Sequence, residues 1–355
     1  LTKIFLVRHA EAEGNIYRRA HGHYNGLVTE KGNKQIELLT DRFKDEHIDA
    51  VYSSDLTRAS KTAAAISEPR GLTINKTKQL REVDIGAWED RPWGEIGYTD
   101  HDMNIYFNKD PARWHVTGGE SYGDAGKRML ECITDTAKKH DGETIAMFSH
   151  GFSIRTLLCL LKEIPSHETE QMPYCDNTAV TLLTYDNGEI KIEFAGDNSH
   201  LGTKHSTLAH QSWWRAEEKR KPENLRFLPL NDVAGESLIR IFKAKAGERA
   251  HVDVQYAAFL SDEPIGIIGL DTIREANRKI GWISYIHVIP HRRNKTFGTQ
   301  LLGLAVSDFR KLRRERLHME MPSGTPGINF MSKCGFDVLI TTETNCHMEK
   351  NIKNW

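Results

Sequence analysis

Three short apolar runs in the first 150 residues each stop on side chains that a buried core would not choose. Ile4–Val7 stops on Arg8 and His9. Ile48–Ser53 leads through Ser54 into "DLTRASKTA", which puts Arg58 in the first turn of a helix. "TIAMF" (Thr144–Phe148) stops on Ser149, His150 and Gly151. The stretches between and after them carry helical patterns: Gly32–Phe43 with Thr29 as its cap, Leu56–Ser67, Asp124–Lys139 and Ser153–Leu161. Strands alternating with helices predict a mostly parallel sheet covered on both faces. In such a sheet the carboxyl ends of the strands share one edge, where ligands bind. The three polar endings are therefore expected together. Two more strands are read at Thr178–Thr184 and Ile190–Phe194, and residues 83–120, rich in Trp, Gly and Pro, as a long irregular insertion over a site.

A chain of 355 residues predicts about two domains. A composition shift supplies the boundary: "WWRAEEKRKPENLR" (Trp213–Arg226) is charged and contains Pro, as a linker or connecting helix does. Beyond it come a strand at Arg226–Leu230, a helix at Val233–Lys245 and a hairpin of Val254–Leu260 with Pro264–Asp271. A strand at Trp282–Val288, an amphipathic helix at Phe297–Arg314 and a strand at Arg316–Met321 follow. A short helix near Pro326–Cys334 precedes strands at Asp337–Thr342 and Cys346–Asn351. The expected division is a domain at 1–208, a linker at 209–225 and an α+β domain at 226–355. The net charge of −1 argues against nucleic-acid binding, and "RKLRRER" (Arg310–Arg316) reads as a solvated helix face. Five cysteines without C-x-x-C spacing fit reduced thiols in the cytoplasm. No apolar run reaches the ~18 residues of a membrane span, and no secretory signal is visible.

The endings of the first domain suit phosphoryl chemistry. A neutral imidazole can attack phosphorus and hold the phosphoryl group covalently. Guanidinium groups match the charge spread over the equatorial oxygens with paired hydrogen bonds. A second histidine can donate to a remaining oxygen. The departing alkoxide needs a proton, which a carboxylic acid can give; "LREVDIGAWED" offers Glu82, with Asp84 and Glu89 close by.

"LVRHAEAEGN", "YSSDLTRASKTA", "LREVDIGAWED" and "FSHG" stand in the order and at the spacing of the histidine phosphatase superfamily, which has a phosphoglycerate-mutase-like fold. "YRRAHGHYNGLVTEKGNKQI" is similar to that family's R-x-x-G…L-T-x-x-G-x-x-Q segment. "GGES" (Gly118–Ser121) and "NSHL" (Asn198–Leu201) resemble its stretch before the last catalytic helix and its closing loop. The resemblance covers about residues 1–205. It implies a three-layer αβα domain that needs no cofactor or metal and acts on a small phosphorylated metabolite. By position it makes His9 the phosphorylated nucleophile and Arg8, Asn15, Arg58 and His150 the phosphate pocket, with His150 also catalytic. Glu82 becomes the proton donor. Two positions depart from the family: Ala10 and Asp90 each replace a usual Gly. The Ala10 carbonyl can still accept the proton of the nucleophile's Nδ1. Trp88, Trp93 and Trp114 are either structural or substrate contacts. The glutamate segment resembles the phosphatase branches more than the mutase branch, which remains the alternative.

"YIHVIPHRRNKTFGTQLL" (Tyr285–Leu302) is a strand, a turn and a helix start, where backbone N–H groups form an anion nest. It resembles the R-x-x-G-x-G loop of the GNAT acetyltransferases, and "SKCGFDV" (Ser332–Val338) resembles their second motif. The resemblance covers about residues 226–355. It implies that Val288, Arg293, Asn294, Lys295, Thr296, Phe297, Gly298 and Thr299 hold acetyl-CoA, for transfer to an amine. Thr296 replaces the first Gly of the loop, and Met331 stands where many members carry a tyrosine acid. No residue of this domain is assigned a catalytic role. Three readings stay open: an acetyltransferase, a CoA-binding regulator of the first domain, or a degenerate fold that only dimerises or positions the protein.

Overall fold

The structure, a computed structural model, describes residues 1–215, 219, 221–232 and 251–354. The helix expected at Val233–Lys245 lies outside the described residues. The chain forms two compact units. The first holds Leu1–Ala12, Ala20–Glu89 and Thr99–Lys221. The second holds Pro222 onward together with two segments from the N-terminal half, Glu13–Arg19 and Asp90–Tyr98.

The first unit is built on a six-stranded sheet ordered β3-β2-β4-β1-β5-β6. The parallel strands are β1 (Thr2–Arg8), β2 (Ala50–Ser54), β3 (Ile74–Thr77) and β4 (Thr144–Ser149). β5 (Val180–Asp186) and β6 (Glu189–Asp197) add an antiparallel edge. β1 reads as an unbroken apolar run because both its faces are covered. Ile4 and Leu6 join one core with Met129, Ile133 and Leu157, and Phe5 and Val7 join another with Leu39, Ala63 and Phe148. Helices start where small oxygens cap them. Thr29 accepts from the Gly32 N–H ahead of Glu30–Arg42, and Ser121 accepts from the Asp124 N–H ahead of Tyr122–Lys139. The remaining long helices are Thr57–Ser67 and Gly151–Leu161.

In chain order we label the helices of this half α1 (Glu13–Tyr17), α2 (Glu30–Arg42), α3 (Thr57–Ser67), α4 (Trp93–Thr99), α5 (His101–Lys109), α6 (Tyr122–Lys139) and α7 (Gly151–Leu161). α4 and α5 correct the expectation that residues 83–120 are irregular throughout. α5 forms because Phe107 has a ring to pack on: it stacks on Phe152 with centroids 4.4 Å apart and meets Trp114 edge-on at 5.2 Å. Trp88 and Trp114 are buried against one another in this cluster, so they are core residues.

The second unit is a seven-stranded sheet ordered β12-β13-β11-β10-β9-β8-β7. Its strands are β7 (Leu225–Pro229), β8 (Val254–Leu260), β9 (Glu263–Asp271), β10 (Ile280–Val288), β11 (Arg316–Pro322), β12 (Asp337–Thr341) and β13 (Asn345–Asn351). One pair is parallel, β10 with β11, and it is registered only from Ile280–Ile283 to Arg316–Met319. Past that point both strands continue without mutual pairing. Among the described residues, two helices follow α8 (Gly202–His205) of the first unit: α9 (Phe297–Lys311) and α10 (Pro326–Lys333). α9 buries Leu301, Ala305 and Phe309 against the sheet. Gly281 is required there, because a Cβ would stand 2.3 Å from the Phe309 ring.

α1 packs on α9 in this unit. Tyr17 lies so close that a Cβ on Gly303 would meet it at 2.5 Å. Glu13 accepts from both terminal nitrogens of Arg310, at 2.7 and 3.1 Å, and both side chains are buried. Arg19 donates from Nε to Asp90 at 2.7 Å and from a terminal nitrogen to Ser307 at 3.0 Å, and Ser307 donates to Asp90 at 2.5 Å. Asp90 adopts φ 57°, the left-handed backbone of the Gly it replaces, while its carboxylate serves this network.

Candidate active site

The three strand endings meet at one sheet edge. Arg8 of β1 stands beside Ser149 of β4, and Ser53 of β2 beside Phe148. The next residue after each, His9 and His150, leaves the sheet there. The His9 N–H donates to the Ser149 carbonyl at 2.9 Å. Its own carbonyl accepts from Asn177 Nδ2 at 2.9 Å. Nδ1 of His9 lies 2.7 Å from the Ala10 carbonyl oxygen. A carbonyl can only accept, so Nδ1 carries the proton and Nε2 keeps its lone pair. The Ala10 N–H is held in turn by Thr62 Oγ1 at 2.9 Å. Ala10 is fully buried, and its methyl leaves this geometry intact.

His150 precedes α7 and sits in the same cluster, its ring centroid 5.1 Å from that of His9. Nε2 of His150 is 2.9 Å from Ser54 Oγ, while Nδ1 is buried without a partner. Arg8 donates to the Cys175 carbonyl at 2.5 Å, and its Nε is buried without a partner. Gly151 makes room for that guanidinium: a Cβ would stand 2.9 Å from Arg8 Nε. Arg58 donates to the carbonyls of Gly22 (2.7 Å) and Tyr24 (2.9 Å). Among the described residues neither Arg8 nor Arg58 forms an ion pair with a carboxylate. A buried charge without a counterion is costly. The guanidinium of Arg58 is pushed down to about 10, and that of Arg8 is lowered too, both by burial first. Burial, then Arg58, then Arg8 hold His9 well below the ordinary imidazole value; burial and Arg58 lead the same shift at His150. Both rings are thus neutral at neutral pH. A site with two cations, two neutral imidazoles and buried polar nitrogens left open is one that an anion would complete.

Glu82 is tied to the start of α7. Its carboxylate accepts from the N–H groups of Phe152 (3.1 Å) and Ser153 (2.8 Å) and from Ser153 Oγ (3.0 Å). The neighbouring acids are engaged elsewhere. Asp84 accepts from the Gly86 N–H. Glu89 accepts from the N–H groups of His23 and Tyr24, stiffening the loop whose carbonyls hold Arg58, and burial raises its carboxyl above the usual value. Asn15 lies on α1, which clusters with the second unit. Ser54, Thr62, Ser153 and Asn177 fix the cluster from behind; Ser54 and Thr62 stand inside the quoted arginine motif, and Ser153 and Asn177 carry no sequence signal of their own. Their partners are brought in from strands and loops far along the chain.

In the second unit Arg293 folds back, donating from Nε to the Val288 carbonyl at 2.8 Å. Asn294 and Thr296 adopt φ 60° and 64°. Thr296 therefore takes the backbone of the Gly it replaces, at a cost of roughly 1–2 kcal/mol. Its hydroxyl donates to the Lys295 carbonyl at 2.6 Å, so it is turned away from the role of anion donor. α9 begins at Phe297, and its first turn leaves backbone N–H groups without intrahelical acceptors. Gly298 is tight against the Phe330 ring, 2.9 Å from where a Cβ would be. These features fit a pyrophosphate. Met331 is fully buried in the core, so no acid stands at that position.

Residues 4–198 match the model of the histidine phosphatase superfamily, branch 1, and residues 211–336 that of the acetyltransferase (GNAT) family. Phosphoserine phosphatase 1 of Hydrogenobacter thermophilus is 28% identical over 202 residues, 57% of this chain and 95% of that protein. The probable phosphoglycerate mutase GpmB of Yersinia pestis is 29% identical over 207 residues, again 57% and 95%. Among solved structures, Bacillus stearothermophilus YhfR is 31% identical with a TM-score of 0.55, covering 56% of this chain and 99% of its own. No helix among the described residues is long and apolar enough to cross a membrane.

Proposed function

Because the chain belongs to the histidine phosphatase superfamily and carries a GNAT acetyltransferase domain behind that part, we propose that its first unit hydrolyses small phosphomonoesters through a phosphohistidine on His9. The observation that carries the reading is the neutral His9 ring, its proton held at Nδ1 by Ala10, beside the buried Arg58 and half-buried Arg8 guanidinium groups, neither of which forms an ion pair among the described residues. Nε2 attacks phosphorus as the P–O bond breaks, and Glu82 gives its proton to the departing alkoxide. Arg8, Arg58 and His150 donate to the equatorial oxygens, where such preorganised donors supply most of the rate. Asn15 joins them on the strength of the motif alone. In the second half water attacks the phosphohistidine, Glu82 takes a proton from it, and inorganic phosphate leaves. Phosphoserine is the first substrate to try, since a relative matching the whole N-terminal part bears that name. The test is rapid-quench trapping of acid-labile radiolabel from a labelled phosphomonoester. Label on His9, absent in His9→Ala, is expected; turnover that persists in His9→Ala would sink the reading.

The match to a probable phosphoglycerate mutase favours a second reading, in which the same phosphohistidine returns its phosphoryl group to a bound intermediate. Proton NMR of 3-phosphoglycerate with the enzyme separates the two. Hydrolysis yields glycerate, and mutase action yields the 2-isomer.

For the second unit the reading is acetyl-CoA binding by Val288, Arg293–Thr299 and the start of α9, with an acyl group for transfer to an amine. The residues present fit that group as far as its pyrophosphate. A regulatory CoA site on the same residues is distinguished by the absence of amine-dependent CoA release. The five free cysteines fit a reducing compartment such as the cytoplasm.

A further inference from the structure

The face of the second sheet opposite α9 carries a chain of polar rings that the cofactor loop does not explain. β11 contains His318-Met319-Glu320, and β13 contains His347-Met348-Glu349. The two strands are antiparallel, so His318 stands opposite Glu349 and Glu320 opposite His347. The methionines between them point into the core. The other four side chains share the opposite face. Nε2 of His318 lies 2.7 Å from Glu349 Oε2, and Nε2 of His347 lies 2.9 Å from His318 Nδ1. Glu349 is also paired with Arg316 at 3.2 Å. The Trp282 ring stacks on His347 (5.1 Å, 21°) and meets His318 at 5.1 Å, fixing both imidazoles.

The tautomers follow from the ends of this chain. An ionised Glu349 accepts only, so His318 carries its proton on Nε2 and presents a lone pair at Nδ1. His347 must then carry its proton on Nε2. Its Nδ1 is left as an acceptor with no partner among the described residues. A carboxylate behind two imidazoles in series steadies the imidazolium that forms when the outer one accepts a proton, as an orienting acid does behind a general base.

The place of His347 matters as much as its proton. β10 and β11 are paired only as far as Ile283 and Met319, and His347 is in register with Glu320, the next residue. Unpaired strand edges open at that level, and extended amide-bearing chains bind such edges. The anion nest lies at the far end of β10, beyond Val288. A ligand held by its pyrophosphate there and running along β10 would bring its other end to the level of His347.

We propose that His347 is the general base of the acetyl transfer, with His318 and Glu349 as positioning residues. A neutral primary amine attacks the thioester carbonyl carbon. The C–N bond forms and the C–S bond breaks. The amine proton passes to His347 Nδ1, and the departing thiolate recovers it, leaving amide and thiol. This rests on the acetyltransferase reading given above.

The test uses the full chain with ring-labelled histidine and acetyl-CoA as the probe. The expected result has three parts. Nitrogen-15 shifts place the His347 proton on Nε2. Acetyl-CoA moves the His347 ring resonances, and Glu349→Gln shifts them again. Amine-dependent CoA release, assayed with spermidine, glucosamine and tyramine, falls about 10²–10⁴-fold in His347→Asn, which still gains thermal stability from acetyl-CoA. A proton on Nδ1, or a His347 ring that bound acetyl-CoA leaves unmoved, overturns the base. Failure of acetyl-CoA to bind at all is a different result: it removes the acetyltransferase reading and the base with it.

Discussion

Arg58 in the first unit and Arg19 and Arg310 in the second are buried, Arg8 is half-buried, and the two pairs are satisfied in opposite ways. Arg310 has Glu13 against it with two hydrogen bonds, and Arg19 has Asp90. Arg8 and Arg58 rest on backbone carbonyls and, among the described residues, face no carboxylate within ion-pair distance. A guanidinium whose charge is met by a protein carboxylate belongs to the architecture. One whose charge is left for something else to meet belongs to a site. Burial alone does not separate the two cases.

The comparison can be broken by substitution. His9→Ala should cost the most, roughly 10⁴-fold or more in phosphatase turnover, with little loss of thermal stability. Next comes Arg310→Ala, which strands a buried carboxylate on Glu13 and should destabilise the protein by roughly 3–5 kcal/mol in denaturant titration. Replacing both partners, Glu13→Leu with Arg310→Met, should restore most of that stability, because no lone charge remains. Arg58→Ala is expected to behave in the opposite sense. Turnover falls about 10²–10³-fold, and stability holds or rises. If Arg58→Ala unfolds the protein and Arg310→Ala does not, the distinction between the two pairs is wrong.

The most gradual effect is in pH. His9 and His150 are neutral when folded, and an unfolded chain protonates its imidazoles below about pH 6.5. The unfolded state then binds more protons, so stability is full above that value and falls as the pH drops through it. Each ring contributes up to about 1.4 kcal/mol per pH unit. His200, pushed down to about 4 mainly by burial, adds to the same direction. Chemical denaturation at pH 7, 6 and 5 should show the decline, and His9→Ala should flatten it.

The sheet edge was legible because three apolar runs end on polar residues, and Thr29 announced its helix through the capping hydroxyl. The segment at 83–120 was misread as irregular. Gly94 and Gly97 suppress the helical signal of α4, yet Gly94 is needed, since a Cβ there would stand 2.3 Å from the Leu225 carbonyl oxygen. α1 was invisible for a similar reason: five residues, one of them Gly14, do not make a helix without the packing of Tyr17 on α9. In the sequence Asp90 shows only as a replaced Gly. Its partner Ser307 is 217 residues away, and no local pattern points to it. The two His-Met-Glu triplets were legible in principle, but only pairing them in antiparallel register turns them into a relay.

The pairing of Glu13 with Arg310 also has a consequence for how the protein is made. The two residues are 297 positions apart. At about 5–20 residues per second, a ribosome needs roughly 15–60 seconds to travel between them. The stretch that follows His9 thus emerges long before its partner does. A message cut short between His150 and Arg310 yields a chain that still carries His9, Arg58 and His150, but whose Glu13 segment waits for a helix that never arrives.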